Sequence, residues 1–221
     1  MNTLRIPVLF AAISLACLGN VFAQALDISS GGAPTITGAS GGWVTGSSSV
    51  LNDLVVTVNF GELSPINANP IVKVTIPIGV RSNQPYKVTV TYTGSTNASS
   101  QAIQRTDIGF GVRNMRPMGS SSRICTNSNH IFYSPFSNDP TNLVTLNAAG
   151  RAQYVSDLGD ITTATTILSG PRLSNPGAGR QTNDGYIFDA ILAITPQFYA
   201  AGTTTATLTF TISSGPSAPC N

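Results

Sequence analysis

The chain has 221 residues, only 9% of them charged, with a formal net charge of +2. That length suits one domain of ordinary size or one large sandwich. No basic patch or acidic run is visible, which argues against nucleic acid and anionic membrane as partners and leaves Ser, Thr, Asn and Gly to cover the surface, as in an extracellular β protein.

The first residues carry a compartment signal. Arg5 precedes the apolar stretch Ile6 to Gly19, and Val21-Phe22-Ala23 places small residues where a signal peptidase requires them. This is the order of a secretory signal peptide over residues 1–23, with cleavage expected after Ala23 or Ala25. The apolar segment falls short of the about 20 residues that a membrane span needs. Leu15 stands one place too late for lipid attachment at Cys17. Without Cys17, two cysteines remain, Cys125 and Cys220. An even pair in an oxidising compartment is expected to form a disulfide. A loop of that length would contribute about 4–5 kcal/mol in the chain-entropy picture.

Residues 26–52 are rich in Gly and Ser and read as a loosely held arm or a first edge strand. Glycines 31, 32, 41, 42 and 46 would weaken a central strand. The domain proper is expected over 53–221. Leu54, Val56, Val58 and Phe60 share one face. Val72, Val74, Ile76 and Ile78 repeat the pattern, and so do Val88, Val90 and Tyr92. Such period-two alternation of β-branched residues predicts half-buried strands. Pro77 lacks a ladder donor and predicts an edge or a bulge there. Arg81 to Pro85 reads as a polar turn.

Ile108, Phe110 and Val112 predict a further strand over 107–114. Opposite them, Gly109 and Gly111 predict a close approach of another segment. Met115 to Pro140 reads as a long loop with a short strand near His130 to Tyr133, and loops of that length carry function or mobility. Shorter strands are expected around 143–146, 152–156 and 161–168. Ser169 to Asp184 reads as a second polar loop, with Asn183-Asp184-Gly185 as a turn signal. Tyr186 to Ile194 is apolar on both faces and predicts a central strand. Its one charge, Asp189, predicts either a buried donor partner or a bend. Pro196 to Gly202 turns the chain, and Ala206, Leu208, Phe210 and Ile212 then alternate with threonines. Nine or ten short strands and no long helix predict an all-β, antiparallel β-sandwich before a closed barrel.

Catalytic chemistry finds few carriers. His130 is the chain's one histidine, and no Gly-x-Ser-x-Gly elbow accompanies it. Asp157 and Asp160 stand close enough to share a calcium ion, but a turn explains Asp-Leu-Gly-Asp equally well. Gly177 to Arg180 lacks the strand-to-helix context of a phosphate cradle. Asn97-Ala98-Ser99 matches a glycosylation acceptor. No enzyme, metal or cofactor is expected. The stronger binding candidate is the loop bearing Arg123, His130, Phe132, Tyr133 and Phe136, with Arg113 and Arg116 upstream. Aromatic faces and guanidinium groups hold a sugar or a protein strand well. The competing reading has Phe132 and Phe136 closing the end of the core.

The segment Phe198-Tyr199-Ala200-Ala201-Gly202-Thr203, running on through Thr204 to Ile212, resembles the final strand of bacterial pilin-type sandwiches. Val80 to Tyr86 is similar to mid-domain segments of fimbrial and spore-coat-U-like secreted proteins. The resemblance implies an Ig-like (pilin-like) sandwich, export to the periplasm or beyond, and a role as a structural or adhesion module. Its partners would be other surface or fibre subunits. The alternative is a stand-alone sandwich binding a surface glycan or another ligand through the Met115 to Pro140 loop.

Overall fold

A computed structural model describes residues 26–39, 41–50, 52–63, 71–94, 103–118, 129–173, 185–197 and 204–216. Its strands are, in chain order, β1 (Leu26–Ser30), β2 (Thr35–Thr37), β3 (Trp43–Val50), β4 (Asp53–Asn59), β5 (Val72–Ser82), β6 (Tyr86–Gly94), β7 (Gly109–Met118), β8 (Ile131–Phe132), β9 (Thr145–Leu146), β10 (Ala152–Gln153), β11 (Thr165–Gly170), β12 (Gly185–Ile194) and β13 (Thr205–Ser214). The first sheet runs β1-β5-β12-β7, with β2 also paired to β5; the second runs β3-β4-β13-β6-β11-β8. All pairings are antiparallel. The fold is an all-β sandwich.

The alternation read in the sequence sets its two faces. Leu54, Val56 and Val58 of β4, and Ala206, Leu208, Phe210 and Ile212 of β13, are buried against Val72, Val74, Ile76, Ile78 and Val80 of β5. Each such aliphatic or aromatic side chain contributes about 1.5–3 kcal/mol when fully buried. The threonines between them face outward, where Thr57 and Thr207 meet hydroxyl to hydroxyl at 3.1 Å across β4 and β13. The strand at Tyr186 is central, between β5 and β7, and it is buried on both faces.

Several elements differ from the expected layout. Of the two readings of 26–52, the edge strand is the one seen, and it is three strands rather than one: β1, β2 and β3 are built into the sandwich, Ile28 of β1 is fully buried, and both β1 and β3 lie at sheet edges. Pro77 sits in the central strand β5, but its missing N–H falls where β1 has ended and β2 has not begun. There the carbonyl of Pro77 still accepts from Gly31 N at 2.8 Å. The strand β7 extends to Met118, past the boundary expected at Asn114. Asn83 to Pro85 passes the chain from the first sheet to the second, because β5 and β6 belong to different layers.

At Asp189 the donor-partner reading holds: β12 runs straight through it in register with β5, and the irregularity lies in the neighbouring strand β7. Ile187 pairs with Arg116 but Asp189 with Arg113, so β7 carries one extra residue opposite Phe188. Within this bulge Asn114 takes the left-handed conformation (φ 60°), which asparagine tolerates better than most residues. The bulge aims Asn114 Nδ2 at Asp189 Oδ2, 3.1 Å away, and Arg116 at Asp189 Oδ1, 2.8 Å away.

Candidate functional site

The segment 133–161 dominates one side of the molecule. It first lines the outer edge of β7, where Val112 N donates to Phe136 O at 2.7 Å, Phe110 N to Ser156 O at 3.0 Å, and Leu158 N to Ile108 O at 2.9 Å. It then crosses the outer face of the first sheet. Asn138, Pro140 and Tyr154 lie over Gly109 and Gly111, where a Cβ on either glycine would collide with them. The close approach expected from those two glycines is made by this segment. Beneath it, Ile191 and Ala193 of β12 are buried.

Polar side chains fasten the segment down. Asp139 Oδ2 accepts from Lys73 Nζ of β5 at 2.7 Å, while its Oδ1 accepts from Thr141 N and Oγ1 at 3.0 and 2.6 Å. Burial pushes the Asp139 carboxyl up, but these hydrogen bonds and the Lys73 charge outweigh it and hold it below the usual carboxylate value. Arg151 Nε donates to the buried Asp107 at 2.9 Å, and its Nη2 completes a two-pronged ion pair. The Tyr154 hydroxyl accepts from Thr195 N at 2.7 Å.

Asp157 and Asp160 form a reciprocal cap on a single-turn 3-10 helix, Leu158–Asp160. Asp157 Oδ1 accepts from Gly159 N at 2.6 Å, and Asp160 Oδ2 from Asp157 N at 3.0 Å. These carboxylates are engaged with backbone, which is the turn reading of Asp-Leu-Gly-Asp. Burial, with the Asp160 charge as a lesser contributor, pushes the Asp157 carboxyl up to about 6. Among the described residues, no three His, Cys, Asp or Glu side chains gather as a metal site.

At the tip, β9 and β10 form a small hairpin closed by Asn147, whose Oδ1 accepts from Ala149 N and Arg151 N, each at 2.9 Å. Gln197 ties the turn to the body through Gly150 O at 2.5 Å. This fastened segment nevertheless exposes large apolar side chains: Leu143 is 81% exposed, Leu146 64% and Val155 48%. Leu143 also holds a left-handed backbone (φ 57°), a conformation that costs a leucine about 1 kcal/mol or more.

The aromatic loop residues are placed differently from a binding platform. Phe136 is buried, its ring 5.6 Å from Phe110. Phe132 is half-buried on Phe188, with ring centres 6.4 Å apart. Tyr133 reaches Ser169 hydroxyl to hydroxyl at 3.1 Å. His130 packs against Tyr186 at 4.6 Å and Tyr86 at 6.0 Å. Tyr86 is wholly buried, and its hydroxyl is pushed well above its ordinary value by burial first and by Tyr186 second. Phe132 and Phe136 thus close the core, as the competing reading had it. Arg123, Cys125, Cys220, the 177–180 glycine run and the 97–99 acceptor lie outside the described residues.

No family model, curated protein or solved structure matches the chain. Its chemistry is therefore read from its own residues.

The exposed residues of the 133–161 segment were not legible as a site. Leu143 and Leu146 look like strand residues, and large apolar side chains usually point inward. The one available signal was the Gly109 and Gly111 pair, which marks where the segment must lie but not which of its side chains face out. Among the described residues, no helix is long and apolar enough to cross a membrane.

Proposed function

We propose that this protein is a secreted or cell-surface structural or adhesion module, an Ig-like, pilin-like sandwich that contacts other surface subunits. The observation that carries this reading is the 133–161 segment. Its ionic and polar groups fasten it to Lys73 of β5, to Asp107, to the edge of β7 and to Thr195, while Leu143, Leu146 and Val155 stand outward. Apolar side chains on a pre-organised support bind a protein surface without a large ordering cost. A leucine kept exposed in a strained backbone fits a contact residue better than a packing residue.

Export and the disulfide belong to the same reading. Gly215, five residues before Cys220, donates its N–H to Pro85 O at 2.9 Å and leaves no room for a Cβ against the Tyr86 backbone. His130, five residues after Cys125, packs its ring on Tyr86. We propose the Cys125–Cys220 bond on the sequence grounds alone, an even cysteine pair in an exported chain.

The test uses cells producing the full chain. Surface proteolysis of intact cells should remove the protein, and the Leu143→Ser/Leu146→Ser double variant should reach the surface, keep its melting temperature and lose binding to neighbouring cells or subunits. Protein retained in the cytoplasm, or undiminished binding by the double variant, would overturn the reading.

A further inference from the structure

The described residues give the two sheets four outer edges, and three carry a device that discourages pairing with another chain. The edge of β7 is covered by segment 133–161 along Gly109 to Val112, and beyond it come Arg113, Arg116 and Pro117. The strand β8 has only two residues. The third edge is shared by β1 and β2 alongside β5: β1 has five residues and carries Asp27, paired with Arg81 at 2.9 Å, and β2 has only three. Charge, proline, short length and loop cover are the usual protections of a sheet edge.

The fourth edge, β3, differs. From Trp43 through Ser47 it contains no charge and no proline, and Trp43, Thr45, Gly46 and Ser47 are all exposed. Trp43 is 45% exposed. No strand among the described residues pairs with its outer side. The β3–β4 register shifts between Ser47 and Val50, so the straight stretch available for pairing is Trp43 to Ser47.

We infer that β3 pairs antiparallel with β3 of a second copy, about a two-fold axis at Thr45, joining the second sheets of two molecules into one. An uncharged strand is its own electrostatic complement, because no like charges meet when it faces itself. Register then selects the centre. Pairing Trp43 with Ser47, Val44 with Gly46 and Thr45 with Thr45 of the second copy uses the whole straight stretch. It keeps the core-facing Val44 of both copies on the inner face. A slip of one residue would set inward side chains against outward ones, and a slip of two would shorten the pairing. At the axis two threonine hydroxyls meet, the contact that Thr57 and Thr207 already make inside this sheet at 3.1 Å. Each Trp43 then lies diagonal to Thr45 of the other copy, within reach of a large ring. An isologous pairing closes on itself and leaves no β3 edge open to a third copy.

Sedimentation of the full chain across a concentration series tests this, with Thr45→Lys and Thr45→Glu measured singly and mixed. The parent should pass from monomer to dimer. Each variant, its exposed side chain leaving the fold and circular dichroism unchanged, should dimerise about tenfold more weakly, since like charges meet at the axis. The equimolar mixture should recover dimerisation. A parent monomeric at millimolar concentration, open fibres in place of dimers, single variants that associate like the parent, or no recovery on mixing would each overturn the inference. Failure here leaves the surface reading standing, whereas cytoplasmic retention would defeat that reading and leave the dimer measurable.

Discussion

Asp157 shows how one half-buried carboxylate ties local geometry to pH. Burial is the main cause that lifts it to about 6 from an ordinary 3.8, and the cap bond from Gly159 N only partly offsets it. The folded state therefore holds this proton more tightly than the unfolded chain. Its contribution to stability is fully present below about pH 4 and is lost as pH rises through about 6. Asp139 acts in the opposite sense: its carboxyl is lowered, so its contribution is present above 3.8 and is lost as pH falls below that value. Urea unfolding from pH 3 to 8 should show these as separate changes. Asp157→Asn should remove the loss between pH 4 and 6, and a carboxyl resonance of Asp157 titrating near 4 would contradict the assignment. At the bulge, Asp189→Ala should cost about 2 kcal/mol, the scale of hydrogen bonds to a charged group, because it takes from Asn114 the carboxylate that its amide donates to. An equilibrium unfolding change under 0.5 kcal/mol would contradict that account.

Among elements, segment 133–161 is the one whose place depends most on the backbone of another. Gly111→Ala sets a methyl group against the carbonyl of Asn138, which belongs to backbone and cannot rotate away. The expected cost is about 1–3 kcal/mol, with faster proteolysis within 133–161 as the specific sign that this segment has lifted. Gly46→Ala is the contrasting case. Its Cβ would meet Leu54 Cδ1 at 3.8 Å, an ordinary contact, so stability should hold or rise by about 0.5 kcal/mol through the unfolded chain. Two glycines that look alike in the sequence thus have opposite expected outcomes. Strands β4, β6 and β13, and β5 as far as Ile78, were legible because inward and outward residues alternate along them. The length of β7 was not, because Arg116, Pro117 and Met118 read as loop residues and become strand only through pairing with β12.

At the scale of the molecule, two layers share one core, and the chain crosses between them at Asn83 to Pro85. The same corner receives Gly215 and His130, the residues that lead toward Cys220 and Cys125. A bond between these cysteines would fasten the end of the second sheet to the segment after β7. Cys220→Ser should then lower unfolding stability by about 2–4 kcal/mol, and adding a reductant should lower the parent by a like amount and leave the variant unchanged. Intact mass without reductant should lie two hydrogens below that of the reduced chain. Two free thiols in that measurement would remove this staple from the account.

Length, low charge and the alternation of Val, Ile and Leu with Thr determined the sandwich, because period-two burial is a local property that each strand carries by itself. The inward face of β13 follows from it, and the central place of β12 follows from a run that is apolar on both faces. Whether Phe136 is core or platform, which edge is covered, and that Leu143 and Leu146 point into solvent were decided only by tertiary structure. Those outcomes depend on which distant backbone lies over Gly109 and Gly111 and along the edge of β7, and a long-range approach of that kind leaves no period in the chain.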